Sequence, residues 1–165
     1  MKWFFYFLNI LIFFSLSLIF KNYFPEGYQP LFNLIGMIFF IIYFDFNEAI
    51  LYSFLSGLFL DFFSSFFGFH LFLFLFLSTI IYFLKTEIIQ GEGFLSFIFF
   101  VWFGLTIYYF ALIFLFKPDF SLNFFIFYFL KIFLESFLVN TLFTILMYWP
   151  LLEFKNFIDK SYNLK

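Results

Sequence analysis

Long apolar stretches separated by short polar ones dominate the hydropathy pattern of this chain. The first runs from Trp3 to Phe20, and its eighteen residues would form a helix of about 27 Å, close to the thickness of a bilayer core. Its apolar core is too long for a signal peptide and no small-residue cleavage site follows, so we expect an uncleaved span. A loop with Pro25, Gly27 and Pro30 follows, and a second span is predicted up to Phe44.

The longest apolar stretch, Ala49–Leu84, comes after a polar loop predicted at Asp45–Glu48. A single helix over its 36 residues would measure about 54 Å, which is far longer than a bilayer core is thick. The chain must therefore fold back, and Ser64–Gly68 is the turn-like cluster inside the run. This predicts a third span at roughly 49–63 and a fourth at roughly 70–84.

Two further spans complete the pattern. Lys85–Gly93 is predicted to be a polar loop, and Phe94–Phe116 is predicted as the fifth span because Pro118 cannot continue a helix. The sixth span lies within Asn123–Trp149, and Pro150 is expected to mark its end. The sequence therefore predicts an all-α integral membrane protein, a bundle of about six short transmembrane helices.

The residues after Pro150 predict a different kind of segment. Residues 151–165 alternate apolar and charged side chains with near-helical spacing, which is typical of an amphipathic helix on a membrane surface. We therefore divide the chain into a polytopic bundle at 1–150 and a cytoplasmic amphipathic tail at 151–165. With the amino terminus inside, five lysines are cytoplasmic (Lys2, Lys85, Lys155, Lys160, Lys165) and two are external (Lys21, Lys117). The positive-inside rule then favours two cytoplasmic termini.

Composition agrees with this interpretation and excludes several kinds of site. The chain is 66% hydrophobic and 11% charged with a mean hydropathy of +1.10, whereas soluble domains carry about 25% charged residues. We attribute its 41 phenylalanines to an AT-rich, bacterial genome rather than to an aromatic ligand site. The absence of cysteine excludes disulfides and thiolate chemistry. The net charge of −2 indicates no nucleic-acid partner.

Small and polar residues recur every four positions along the third span, which places them on one helical face. They are Ala49, Ser53, Gly57 and Asp61, followed by Ser64 or Ser65. One interpretation is a helix-packing seam, since small residues let helices approach closely in lipid. The other is a polar site for a ligand, ion or partner, because an intramembrane carboxylate is costly. Both remain open, although Asp61 is expected near the external end of its span.

Other polar side chains are too few to predict catalysis or metal binding. His70 lies across the turn from Asp61 and could donate a hydrogen bond to it or cap the turn. As the one histidine of a chain without cysteine, it predicts neither a metal site nor a catalytic triad, and we expect no enzyme. In the sixth span Lys131 and Glu135 could form an internal ion pair or part of a transport path. Asn140, Thr144 and Tyr148 form a second polar stripe there.

The stretch "QPLFNLIGMIFFIIYFDFNEAILYSFLSGLFLDFFSSFFGFHLFLFLFL" resembles the core of the rod-shape-determining membrane protein MreD family. The resemblance rests on Pro30, Gly57, Asp61, Ser64, Gly68 and His70, and, near the end of the chain, on Asn140, Trp149 and Pro150. The turn between Asp61 and Gly68 is one residue shorter than is usual in that family. The tail is mixed in charge, with Glu153 and Asp159 among three lysines.

The resemblance implies a non-enzymatic component of the bacterial cell-elongation machinery in the inner membrane. It implies binding to the bitopic protein MreC, indirect partnership with MreB, RodA and a class B penicillin-binding protein, and no cofactor. It also implies a bundle similar to the substrate-binding S-components of energy-coupling-factor (ECF) transporters. The structural or partner-contact candidates are Pro30, Ser53, Gly57, Asp61, Ser64, Gly68, His70, Asn140, Trp149 and Pro150.

Two alternatives stay open. One is an S-component that binds a small molecule. The external loops 21–30, 62–69 and 117–123 argue against it, because they offer few polar groups that could fix a ligand. The other is an ion-coupled transporter that uses Asp61 and Glu135.

Overall fold

A computed structural model describes residues 2–21, 23–24, 29–64, 67–89, 93–116 and 122–163, and within the last range the side chains at 130, 134 and 136–161. These residues form helices and no strand. The six helices are α1 (Lys2–Lys21), α2 (Phe32–Tyr43), α3 (Phe46–Phe62), α4 (Phe69–Leu84), α5 (Phe94–Phe116) and α6 (Leu122–Asn163). One wider, π-helical turn at Lys85–Ile89 extends α4.

The predicted all-α membrane bundle is confirmed. Four helical segments are long and apolar enough to cross a membrane, namely Lys2–Lys21, Phe69–Ile89, Phe94–Leu115 and Ser136–Ser161. The helices α2 and α3 are shorter, with 12 and 17 residues. At 1.5 Å per residue α2 measures about 18 Å, well short of the roughly 30 Å of α1.

The short helix α2 forms the centre of the bundle. It is apolar on every face, a pattern typical of a fully buried helix, and all of Phe32–Ile42 is buried. The other five helices contact it. Aromatic rings pack around the C-terminal half of α2. The ring of Phe40 stacks on Tyr52 of α3 at 3.8 Å between centroids and meets Tyr6 of α1 edge-on at 4.9 Å.

The bundle has two ends that differ in chemistry. At the Glu48 end, where α1, α3 and α5 begin and α2 and α4 end, Lys2 pairs with Glu48 at 3.1 Å. Lys85 donates to the last turn of α2 there, at the carbonyl of Ile42. At the opposite, Asp61 end, α1 and α3 end and α2 and α4 begin. Most of the structural or partner-contact candidates lie at the Asp61 end.

The structure corrects two of the predicted loops. Asp45–Glu48 is not a loop, because α3 already begins at Phe46 and only Phe44 and Asp45 connect it to α2. Glu48 belongs to the first turn of α3, where a carboxylate is favourable near the helix N-terminus. The predicted loop at Lys85–Gly93 begins later than expected, because the helical conformation continues to Ile89.

The prediction that Pro150 ends the sixth span is wrong. The helix α6 continues through Pro150 to Asn163, although proline cannot donate the bond to the carbonyl of Leu146. Tertiary packing compensates for that loss, because Leu151 and Ile158 beyond the proline are both buried. The predicted tail is therefore the last part of α6.

The last part of α6 packs across the Glu48 end of the bundle. The hydroxyl of Tyr148 lies 3.1 Å from that of Tyr43 at the end of α2. Further along, Phe154 meets Phe40 at 6.4 Å between ring centroids, and Phe157 meets Phe5 of α1 at 5.4 Å. Along the segment the contacts pass from α2 to α1, so it crosses the ends of these two helices.

Candidate functional site

The helices α3 and α4 touch backbone to backbone at Gly57. A Cβ atom at this position would lie 2.6 Å from the Cα of Leu71 and 2.9 Å from the carbonyl oxygen of His70, distances that no real side chain tolerates. The stripe of small and polar residues predicted on α3 faces inward: Ala49, Ser53, Gly57 and Asp61 are all buried. The hydroxyl of Ser53 donates within its own helix, to the carbonyl of Ala49.

The carboxylate of Asp61 caps the neighbouring helix α4. Its Oδ1 accepts the backbone N–H of His70 at 2.9 Å, and its Oδ2 accepts the backbone N–H of Leu71 at 3.0 Å. Both N–H groups belong to the first turn of α4, which has no acceptor within its own helix. A negative charge at this point also complements the dipole of α4. Asp61 is 2% exposed, so these bonds form away from water.

Glycine at the start of α4 explains why the cap comes from another helix. Gly68 occupies the position before the first helical residue with φ +91°, a left-handed conformation that glycine adopts without strain. Because glycine has no side chain, it cannot cap the helix as serine, threonine or aspartate would. Asp61 supplies the missing acceptor from across the turn. The backbone N–H of Ser64 in turn donates to the carbonyl of Asp61 at 3.3 Å.

His70 extends the carboxylate contact towards α5. Its Nδ1 lies 2.9 Å from Oδ1 of Asp61, and its Nε2 lies 3.3 Å from the hydroxyl of Tyr108. Because both oxygens of Asp61 already accept backbone N–H groups, we assign the proton of this contact to Nδ1 of His70, which donates to Oδ1. The sequence does not predict a role for Tyr108, because a tyrosine in an aromatic-rich span carries no distinguishing signal.

A second polar contact joins α6 to the start of α2. The side-chain oxygen of Asn140 accepts the backbone N–H of Leu31 at 2.7 Å, while its Nδ2 donates to the carbonyl of Ser136 at 2.8 Å. Ser136 also shares a hydrogen bond with the Tyr109 hydroxyl of α5. Leu31 follows Pro30, so Pro30 and Asn140, which are 110 positions apart in sequence, mark the two sides of one contact.

We expect Asn140→Leu to reduce the free energy of unfolding by about 2 kcal/mol. The substitution leaves the half-buried N–H of Leu31 without its acceptor at nearly constant side-chain volume. Thr144→Val on the same helix is the matched control, because among the described residues the Thr144 hydroxyl bonds to the carbonyl of Asn140, one turn earlier, and to no other helix. Unfolding in a titration with a denaturing detergent measures the difference, and equal stability of the two variants would contradict the assigned contact.

The remaining sequence candidates lie elsewhere. Trp149 and Pro150 are exposed near the Glu48 end and do not join either contact. The side chains of Lys131 and Glu135 fall outside the described part of the chain, so their predicted ion pair stays a prediction. Within the described residues, no three histidine, aspartate or glutamate side chains come together in a way that could hold a metal ion.

The described arrangement is therefore a pair of interhelical locks. The junction lock consists of Gly57, Asp61, Gly68 and His70, and the α2 lock consists of Leu31, Ser136 and Asn140. Both provide acceptors for backbone N–H groups at the starts of helices. An N–H group left without an acceptor in an apolar environment costs free energy. Comparison of the chain with protein-family models, with curated proteins and with solved structures gave no match.

Proposed function

We propose that the protein is an MreD-like, non-enzymatic component of the bacterial cell-elongation machinery, located in the inner membrane, where it binds MreC. The observation that carries the proposal is that residues on which the resemblance rests form the two interhelical locks. Gly57, Asp61, Gly68 and His70 form one, and Asn140 with the residue after Pro30 forms the other. Several of the residues on which the resemblance rests thus occupy positions that define how the helices pack.

The chemistry of Asp61 favours a scaffold over an ion-coupled carrier. A carrier needs a carboxylate that exchanges its partners during transport, usually next to water. Asp61 instead accepts two backbone N–H groups and an imidazole, and it is almost fully buried. Its loss would disturb the packing of α4 before it could alter the passage of an ion.

The outer surface of α6 supports binding to a single membrane span. It presents a row of exposed leucines at intervals of four residues: Leu130, Leu134, Leu138, Leu142 and Leu146. Such a row provides a continuous apolar face against which another helix can pack in the bilayer. In the proposed orientation both termini are cytoplasmic, so the Glu48 end with Lys2, Lys85, Lys155 and Lys160 faces the cytoplasm. The indirect partners would be MreB, RodA and a class B penicillin-binding protein.

Depletion of the protein from its own host tests this function. Cells should lose their elongated shape as the protein is diluted by growth, and a plasmid copy should restore it. A copy with Gly93→Ala should restore shape equally well, because a Cβ atom at Gly93 meets nothing within 4 Å. Cells that keep their shape after the protein has disappeared would contradict the proposal.

A further inference from the structure

A cavity of about 260 Å³ lies at the Asp61 end of the bundle, among residues of α1, α2, α3, α4 and α5. Phenylalanine and leucine side chains form most of its wall. An apolar cavity of about 150 Å³ in another protein already binds benzene, so this one has room for a segment of hydrocarbon chain. The cavity is therefore large enough to hold part of a lipid.

Most polar groups of the inner wall are bonded within the protein or lie beneath its surface. The Ser17 hydroxyl donates to a carbonyl of its own helix. The two ring nitrogens of His70 lie within hydrogen-bonding distance of Asp61 and of the Tyr108 hydroxyl. Asn33 is only 3% exposed, so its amide offers almost no surface to an occupant. An occupant of the inner part of the cavity therefore meets a mainly apolar surface.

The cavity reaches the surface of the bundle between the C-terminal ends of α1 and α3. Leu18 of α1 and Phe63 after α3 both line it, and they are 50% and 66% exposed. Closer to the middle of the bundle, Phe14 meets Phe59 edge-on at 4.8 Å between ring centroids, which closes the seam between the two helices. Leu18 lies three residues before the end of α1, about 5 Å along its axis, so the opening faces the lipid chains next to their headgroups.

Lys21 places a positive charge beside this opening. It is the last residue of α1, it lines the cavity, and it is exposed. Within the described ranges no carboxylate pairs with it, whereas Lys2 pairs with Glu48 and Lys155 pairs with Asp159. An ammonium group at the level of the headgroups attracts anionic lipid. The opening thus combines an apolar interior with a cation at its rim, which is complementary to the chain and the phosphate of an anionic lipid.

We propose that the cavity holds one acyl chain of an anionic phospholipid from the leaflet at the Asp61 end. The chain enters between α1 and α3 and packs on Phe14, Leu60 and Phe74, while the phosphate lies against the ammonium of Lys21. Apolar walls hold water poorly, so a hydrocarbon chain fills this space more favourably. The site goes beyond the proposed scaffold function, because binding to MreC requires no bound lipid.

Photoreactive lipids test the proposal with the full-length protein in phosphatidylcholine nanodiscs. One preparation contains a small fraction of phosphatidylglycerol with a diazirine near the end of one acyl chain, and the other contains phosphatidylcholine with the same chain. After illumination, mass spectrometry of peptides identifies the labelled residues. We expect phosphatidylglycerol to label Phe14, Leu60 and Phe74 about five times more than phosphatidylcholine does. Both lipids should label Phe72, which is 70% exposed on the outside of α4, to the same extent.

Protein variants separate the contribution of the charge from that of the cavity. Lys21→Gln should reduce the labelling of the wall by phosphatidylglycerol about fivefold and leave the labelling of Phe72 unchanged. Lys160→Gln, which removes the same charge at the opposite end, should change neither. Leu60→Trp, which fills the cavity, should abolish the labelling of the wall by both lipids. Leu18→Trp at the exposed opening should have the same effect, and it disturbs the packing of the bundle less than a change in the wall.

Three outcomes would overturn the proposal. The first is labelling of Phe72 without any labelling of the wall, which would show that no acyl chain enters the cavity. The second is equal labelling of the wall by the two lipids, unchanged in Lys21→Gln, which would show that the site does not select an anionic headgroup. The third is stronger labelling of the wall by a free fatty acid with the same diazirine, which would assign the cavity to fatty acids rather than phospholipids.

Discussion

Replacement of Asp61 by leucine should reduce the free energy of unfolding by about 3 kcal/mol or more. The substitution removes the acceptor for two backbone N–H groups and for the imidazole of His70, all at a buried position. The first turn of α4 then has no acceptor of its own, because Gly68 offers none. Detergent-induced unfolding, followed by the fluorescence of the three tryptophans, measures the loss.

Asp61→Asn tests whether α4 needs both carboxylate oxygens as acceptors or only a polar side chain at this position. The amide keeps one oxygen acceptor, so one of the two N–H groups stays bonded, but its NH₂ group faces the other N–H unfavourably. We expect this variant to lie between the wild type and Asp61→Leu. If Asp61→Leu were as stable as the wild type, the carboxylate would not be the cap of α4.

Gly57→Ala should destabilise the bundle by about 3 kcal/mol, at the upper end of the range for overpacking. The added methyl group would meet the backbone of Leu71 and His70, which cannot move aside as a flexible side chain could. The helices α3 and α4 would have to separate, and the bonds from α4 to Asp61 would lengthen with them. The variant should therefore lose both the close packing and part of the cap.

Two other glycines provide matched controls for Gly57→Ala. Gly93→Ala should leave stability unchanged within about 0.5 kcal/mol, because a Cβ atom there meets open space. Gly104→Ala should fall between the two, since its nearest contact at 2.8 Å is the terminal carbon of Ile38, the end of a flexible side chain. The same unfolding assay should rank the three in this order, and a Gly57→Ala variant as stable as Gly93→Ala would refute the backbone contact.

Hydropathy and chain geometry were sufficient to predict the helices and the fold-back. Bilayer thickness sets an upper limit on helix length, so the run Ala49–Leu84 had to turn, and α3 ends at Phe62 and α4 begins at Phe69, on either side of the predicted turn. The limits of α5, Phe94 and Phe116, agree with the prediction at both ends. Pro150 misled the prediction, since the local rule for proline ignores the packing of Leu151 and Ile158 beyond it.

The partners of the polar residues could be predicted only in part. Asp61 and His70 are nine positions apart across one turn, so their contact follows from local geometry. The bond between Asn140 and Leu31 joins segments 109 positions apart, and no periodicity in the sequence specifies such a pairing.

Co-purification with MreC of the same host is the most direct test of the proposed function. Both proteins would be produced together, extracted from membranes in mild detergent and captured through a tag on MreC. The proposal predicts that the wild-type protein co-elutes with MreC in a near-equimolar complex, whereas Asp61→Leu yields much less complex. A wild-type protein that is folded and monodisperse yet does not co-elute with MreC would contradict it.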